Sequence, residues 1–328
     1  YFQSVVKTLK ENDGVLSSSR YTEYSRVILA LTALGYDPSN VGGYNLLAPL
    51  ADFKAVTRQG VNGAAYALLA LDSHGYEIPA VSDGKTQTTR ENLVRFILDK
   101  QIAGGGWNFS GTAADVDMTA MVLQALAPYY KTNTEVRTAV DAALALLSDR
   151  QDVNGGYASY GDANSESNAQ VLVALTALGI DPEADARFLK NGHSVVDALC
   201  AYYVGEGGFS HMADGELNGL ATTQAYYALA AYARFQNGQT SLYDMSDVTL
   251  KAGTVSDNGN GGTTTPGSGS NDGQTAGADN GAGESGKSDA KTTDAVKTGD
   301  NAAYLAAGTG FVLAAAAFVA LAKGRKKA

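Results

Sequence analysis

The chain holds a single cysteine, Cys200, and three histidines, His74, His193 and His211, in 328 residues. One thiol cannot build a disulfide framework, and one cysteine cannot join a thiolate cluster around a metal. Cys200 sits in a stretch that reads as buried helix, where a small apolar side chain belongs to the core. Positive charge is scarce too: 24 Lys and Arg stand against 34 Asp and Glu, a formal net charge of −10. No segment before residue 323 offers the basic face that a phosphate backbone requires, so nucleic acid is excluded as a partner. The acidic surface mainly favours solubility.

Two further absences divide the chain. Residues 251–299 are dominated by Gly, Ser, Thr, Asn and Asp and nearly lack large apolar side chains. Too little apolar area is available there to offset chain entropy, so a disordered stalk is expected. Residues 302–322 carry no charge and include Leu305, Phe311, Val312, Leu313, Phe318, Val319 and Leu321. At about 1.5 Å per residue this run spans the roughly 30 Å hydrocarbon core of a bilayer. Lys323, Arg325, Lys326 and Lys327 follow at once, and positive charge prefers the cytoplasmic side. The expected organisation is an ordered domain over 1–250, the stalk over 251–299, and a transmembrane anchor with a basic tail over 300–328. The ordered domain then lies outside the cell. The opening residues, Tyr1 to Ser4, hold no initiator Met, and the chain is expected to start inside a longer protein.

What the ordered region does contain is a repeat. Gln101 to Trp107 leads into a helix near 115–130, Gln151 to Tyr157 into one near 165–179, and Gly207 to Phe209 into one near 218–235. Each unit has an amphipathic helix, a two-glycine turn ending in an aromatic, a polar loop, and a second helix rich in Ala and Leu. The interval of about 50 residues marks a solenoid or ring. Aligning the second helices on their Ala-Leu pairs adds two earlier copies and a column of Arg26, Tyr66, Met121, Gln170 and Gln224. One turn earlier stands the column Thr22, Asn62, Asp117, Glu166 and Leu220. Residues four apart share a helix face, so these helices are buried all round except where that mostly polar face meets a common opening. Amphipathic segments near 4–12, 43–54, 90–101, 135–150 and 193–204 fit an outer layer. The expected fold is all-α: inner helices wrapped by outer ones, five pairs of a six-pair ring.

The turns Gln101-x-x-x-Gly105-Gly106-Trp107 and Gln151-x-x-x-Gly155-Gly156-Tyr157 resemble the repeat of the prenyltransferase and squalene-cyclase superfamily of α/α toroids. The phrases around Asp115 to Met121, Glu166 to Gln170 and Ala221 to Gln224 resemble bacterial extracellular repeat proteins, a group similar to the helical domain of the cobalamin carriers. That resemblance implies an α/α toroid and three possible uses of it. In terpenoid cyclases the Asp-x-Asp-Asp-Thr-Ala motif supplies a general acid; Asp115, Asp117, Thr119 and Ala120 match it, but Met118 replaces the last Asp. In protein prenyltransferases Asp, Cys and His hold zinc; Asp117 stands where the cysteine would be and no histidine falls in a matching inner-helix place, so no metal site is expected. In cobalamin carriers the ring is a non-catalytic cup, and Val116 to Met121 is similar to their segment. This implies hydrogen bonding from Asp, Asn and Gln at the mouth to a large amide-bearing ligand, with a corrinoid as candidate and no cofactor required. Before the uncharged run, Ala295-Val296-Lys297-Thr298-Gly299-Asp300 resembles the sorting signal of Gram-positive surface proteins, with Ala295 and Val296 where that family has Leu-Pro. Sortase cleavage between Thr298 and Gly299, with transfer to the cell wall, and an uncleaved membrane anchor both remain open.

The expected reading is a non-catalytic cell-surface protein whose mouth binds a small-molecule ligand. A terpenoid-type enzyme using Asp117 and Asp115, and an adhesin or scaffold, are the alternatives. Candidate ligand-binding residues are Asp115, Asp117, Thr119, Glu166, Asn168, Gln170, Thr222 and Gln224, with Trp107 and Tyr157. Each also has a structural reading. A carboxylate at a helix start caps free N–H groups, which suits one of Asp115 and Asp117, and Glu166 and Asn168 fit first-turn caps. Gln170, Thr222 and Gln224 lie past the capping positions, and a buried amide must bond across the ring or to a ligand. Trp107, Tyr157 and Phe209 either pack over the hairpin below or form an aromatic rim with Tyr160, Tyr24 and Tyr66. His211 reads as a surface or hydrogen-bonded loop histidine.

Overall fold

The computed structural model describes residues 1–205 and 207–251. The stalk, the membrane span and the Thr298–Gly299 pair lie outside these residues. Among the described residues no helix is long and apolar enough to cross a membrane.

The described chain is mainly α. Its helices are α1 (Phe2–Glu11), α2 (Thr22–Ala33), α3 (Phe53–Val56), α4 (Gly60–Asp72), α5 (Arg90–Leu98), α6 (Val116–Leu126), α7 (Thr134–Arg150), α8 (Ser165–Ala177), α9 (Val195–Cys200) and α10 (Gly219–Gln236). Two short antiparallel hairpins interrupt them, β1 (Ala158–Ser159) with β2 (Asp162–Ala163) and β3 (Phe209–Ser210) with β4 (Leu217–Asn218).

The even-numbered helices from α2 to α10 pack on one another in chain order, while α5, α7 and α9 pack on α4, α6 and α8. Composition explains the division. In α4 and α8 nearly every position from the first turn onward is buried, and most of these residues are Ala, Val or Leu. Small side chains let neighbouring axes approach closely on several sides. In α5, by contrast, Leu93, Val94 and Ile97 form one buried stripe and Glu91 and Arg95 face water, the pattern of a helix covered on one side. Cross-links hold the inner helices parallel. At their N-terminal ends Gln59 Oε1 accepts from Thr22 N at 3.1 Å and Ser159 Oγ donates to Asp115 at 2.6 Å. At their C-terminal ends Tyr129 Oη donates to Asp72 at 2.7 Å and Tyr232 pairs with Glu183.

A side chain caps the start of every helix from α5 onward and of α3, but not of α1, α2 or α4. Asp115, Asn164 and Asn218 accept from backbone N–H groups at the starts of α6, α8 and α10, and Thr89 and Ser194 close capping boxes. The recurrent Gln and glycines bind one outer unit to the next. Gln101 Nε2 donates to Ala139 O in α7 at 2.8 Å, and Gln151 Nε2 donates to Gly155 O and Phe188 O, both at 2.9 Å. Gly105 and Gly155 have φ of +100° and +81°, and a Cβ on them would stand 2.6 Å from Ala142 O and 2.4 Å from Ser194 O. Only glycine meets both demands.

Three expectations are corrected. The segment 43–54 is not one outer helix: a 3₁₀ turn over Ala48–Ala51 contains Pro49, which lacks an N–H, and Asp52 is extended and caps the separate α3 by accepting from Ala55 N. The outer helix near 193–204 shrinks to α9, where the chain turns at Ala201. Cys200, its last residue, packs against the core but is only half-buried. A feature the repeat did not announce is the return of the chain after α10. Met245 N donates to Ser73 O at 2.7 Å and Lys251 N to Gly35 O at 2.9 Å, which joins the end of the last inner helix to the ends of α4 and α2.

The two glycine demands are separable. Gly155→Ala should destabilise by about 2–4 kcal/mol, through left-handed strain plus a backbone clash. Gly192→Ala, at φ +83° with open space around it, should cost about 1 kcal/mol. Urea midpoints of the two variants measure the difference, and equal losses would contradict the close approach at Ser194.

Candidate functional site

Three expected site residues turn out to tie turns to helices. The backbone N–H groups of Trp107, Tyr157 and Phe209 donate to Thr119 Oγ1 at 3.0 Å, Asn168 Oδ1 at 2.7 Å and Thr222 Oγ1 at 2.9 Å. Thr119 and Thr222 donate back to the carbonyls of the same aromatic residues, at 3.2 and 3.3 Å. Trp107 and Tyr157 are 0% and 1% exposed, and Trp107 Nε1 donates to Ile97 O at 2.8 Å. Neither ring has surface to offer a ligand, because both fill the space under their own turn. Packing, rather than an aromatic rim, describes these rings. Among the described residues the exposed aromatics are Phe109, on the loop after Trp107, Tyr160, at the tip of the β1–β2 hairpin with φ +53°, and Tyr203, after α9.

The carboxylates gather where α6 and α8 begin. Asp115 caps α6, accepting from Met118 N at 2.8 Å through Oδ1, and its Oδ2 accepts from Ser159. Asn164, not Glu166 or Asn168, caps α8. Glu166 is instead engaged by Ser165 Oγ at 3.1 Å and by His211 Nδ1 at 2.8 Å, which makes His211 a half-exposed, hydrogen-bonded loop histidine. Asp117 differs from its neighbours: its Oδ1 is buried with no hydrogen-bond partner, and Ser167 Oγ beside it is likewise without one. Burial raises the Asp117 carboxyl to about 6, with Asp115 and Glu166 adding to the rise and the hydroxyls of Ser167 and Ser159 opposing it.

The amides bond across the inner helices. Gln124 Nε2 donates to Gln170 O and Oε1, both at 3.0 Å, Gln170 Nε2 donates to Gln224 Oε1 at 3.0 Å and also meets Tyr227 Oη, and Tyr227 Oη donates to Gln224 Oε1 at 3.2 Å. This polar strip runs over α6, α8 and α10, with Gln170 and Gln224 keeping accessible surface. Burial holds the Tyr227 phenol well above its ordinary range, and the phenols of Tyr243 and Tyr66 and the carboxylates of Asp117 and Glu166 push it further. The acidic cluster, the amide strip and these tyrosines therefore share one neighbourhood, with Arg26 stacked over the Tyr66 ring at 5.3 Å.

Sequence reading missed Gln124, Tyr227, Ser159, Ser167 and Tyr243. Two of them carried a signal: Gln124 and Tyr227 stand three residues after Met121 and Gln224, on the same faces. Ser159 arrives from a hairpin and Tyr243 from the returning segment, so neither has a periodic mark. A surface depression of about 470 Å3, lined by Arg90, Glu91, Tyr129 and Glu135 among others, lies on α5 and α7 and contains none of the site residues. Among the described residues no group of three His, Cys, Asp or Glu could hold a metal ion.

No protein-family model and no curated protein matches the chain.

The raised Asp117 carboxyl gives a signed pH dependence. Between about pH 4 and 6 the folded state keeps a proton that the unfolded state has released, so stability present at low pH is lost as pH rises through that window. The loss is at most about 3 kcal/mol. Asp52 and Asp185, held below their ordinary value by bonds to Lys85 and Arg187 among others, act only in more acid solution. Urea denaturation at pH 4.5 and pH 7 should show wild type weakening and Asp117→Asn losing most of that difference.

Proposed function

We propose that the inner and outer helices form an incomplete α/α toroid, and that its mouth, at the N-terminal ends of the inner helices, binds a ligand without catalysing a reaction. Parallel inner helices packed in chain order, outer helices covering them, and a C-terminal segment returning to α2 and α4 all support that geometry. The acidic composition and the uncharged run followed by lysines support display on the outer face of a cell envelope.

One observation carries the binding reading: a strip of glutamines bonded to one another, still accessible, beside a carboxyl oxygen that has no partner. Amides closed into a network hold their positions, and Gln170 Oε1, which accepts from Gln124 alone, keeps a lone pair for a ligand N–H, while Gln224 Oε1 is filled by Gln170 and Tyr227. This suits a large ligand with many polar groups, and a corrinoid is the first to try. Alkene protonation, in contrast, needs a strong acid. A carboxyl raised to about 6 is a weaker proton donor than an ordinary one, which weighs against the terpenoid reading. A scaffold that leaves its mouth idle would fill it with Leu and Met; the strip here is Gln and Tyr.

Equilibrium dialysis of the full chain against cyanocobalamin and, separately, farnesyl diphosphate tests the reading. Retention of cyanocobalamin, weakened about tenfold or more by Gln170→Ala, with no conversion of the isoprenoid, is expected. Turnover of the isoprenoid lost in Asp117→Asn would replace the binding reading with the enzymatic one, and retention unaffected by Gln170→Ala and Asp117→Ala would move the ligand away from the mouth.

A further inference from the structure

We propose that Asp117 and Ser167 form a subsite for a cationic nitrogen, so that the part of the ligand entering deepest carries an ammonium or guanidinium group. The inference rests on the mouth-binding reading and narrows the class of ligand.

The three carboxylates at the starts of α6 and α8 are not equivalent. Both oxygens of Asp115 are taken, one by the Met118 N–H and one by Ser159. Glu166 accepts from Ser165 and His211. Of the three, Asp117 alone keeps a buried oxygen, Oδ1, without a hydrogen-bond partner, the hydroxyls of Ser167 and Ser159 lying near its carboxyl. An unpaired carboxylate oxygen removed from water is costly, and a cation that arrives with N–H donors removes that cost.

Acidity by itself would say little, since carboxylates at helix starts are favoured by the helix dipole. Ser167 supplies the independent observation. It is fully buried, and its hydroxyl is a second polar group at the same carboxyl with no partner. If that hydroxyl turns its proton toward Asp117, it offers its lone pairs outward. A visiting group then meets acceptors from both residues. A neutral primary amide brings two N–H donors and a carbonyl that needs a donor; an ammonium brings three donors and needs none. The acceptor pair matches the ammonium.

The surroundings fit a cation with an apolar stem. Tyr160 follows Ser159, whose hydroxyl acts on the Asp117 carboxyl, and is 85% exposed at the hairpin tip. Its ring gives a stem something to cover, and an aromatic face attracts a positive charge. The charged and titratable groups on the elements around Asp117 are Asp115 on its own cap, Glu166 on α8, His211 beyond β3, Tyr227 on α10, Tyr66 on α4 with Arg26 of α2 over its ring, and Arg150 on α7, whose guanidinium is engaged by Ala114 O. Two of these are carboxylates, which strengthens the preference for a positive ligand.

Benzylammonium and the neutral benzamide are suitable probes, matched in ring and differing in the polar group. Saturation-transfer NMR titrations with the full chain near pH 7 should give tighter binding for benzylammonium. Asp117→Asn, which keeps shape and removes charge, should weaken it about tenfold or more and leave benzamide within about twofold. Ser167→Ala, which keeps the charge, should weaken benzylammonium by a smaller factor; it gives a reading even if Asp117→Asn disturbs the fold. No benzylammonium binding, or equal binding of both probes unaffected by either variant, would overturn the cationic subsite. Cyanocobalamin retained at the mouth while benzylammonium fails would leave the mouth-binding reading standing and sink only this narrower one.

Discussion

The proposed mouth depends on one repeated bond, from the backbone N–H of the aromatic residue after a two-glycine turn to a side chain in the second turn of the inner helix that follows. Thr119, Asn168 and Thr222 make it for Trp107, Tyr157 and Phe209. Each aromatic ring is buried, so its backbone N–H is buried with it and must be satisfied. A side chain from the inner helix is the nearest group able to do so. That bond fixes where the helix begins relative to the turn, and so where the residues of its first turns stand. Asp117 lies two residues before Thr119, Glu166 two before Asn168, and Gln170 and Gln224 two after Asn168 and Thr222. The residues of the proposed mouth thus inherit their placement from a core contact.

Hairpins then lean from one inner helix start onto the preceding one. Ser159 reaches Asp115, and His211 reaches Glu166. Each contact engages a carboxylate that would otherwise compete for a ligand. Asp117 Oδ1 has no such partner, although the hydroxyls of Ser159 and Ser167 lie close enough to the carboxyl to oppose its rise. Burial is the main cause of the rise of its carboxyl to about 6, and the charges of Asp115 and Glu166 add to it.

Much of this was legible in the sequence. The Ala-Leu pairs located α2, α4, α6, α8 and α10 because a helix buried on several sides tolerates only small and aliphatic residues, and the column of Gln170 and Gln224 picked out the polar strip because residues four apart share a face. The role of Thr119, Asn168 and Thr222 was not legible: nothing in a Thr or Asn inside a helix says whether its side chain turns to a ligand or to a backbone N–H eleven to thirteen residues earlier. Burial decides it, and burial depends on the whole packing. The break at Pro49 and Asp52 carried a plain local signal that the amphipathic pattern of 43–54 outweighed. The contributions of Ser159 and Tyr243 depend on long-range closure, which leaves no period in the chain.

Direct titration of the Asp117 side-chain carboxyl by carbon NMR is the shortest route to the central claim, that this group is buried, unpartnered and open to a ligand. A midpoint near 6, falling when benzylammonium is added, is the result the account predicts. A midpoint at the ordinary value of an aspartate, unmoved by the amine, would mean that water or another side chain already satisfies it, and the account of the mouth would fail.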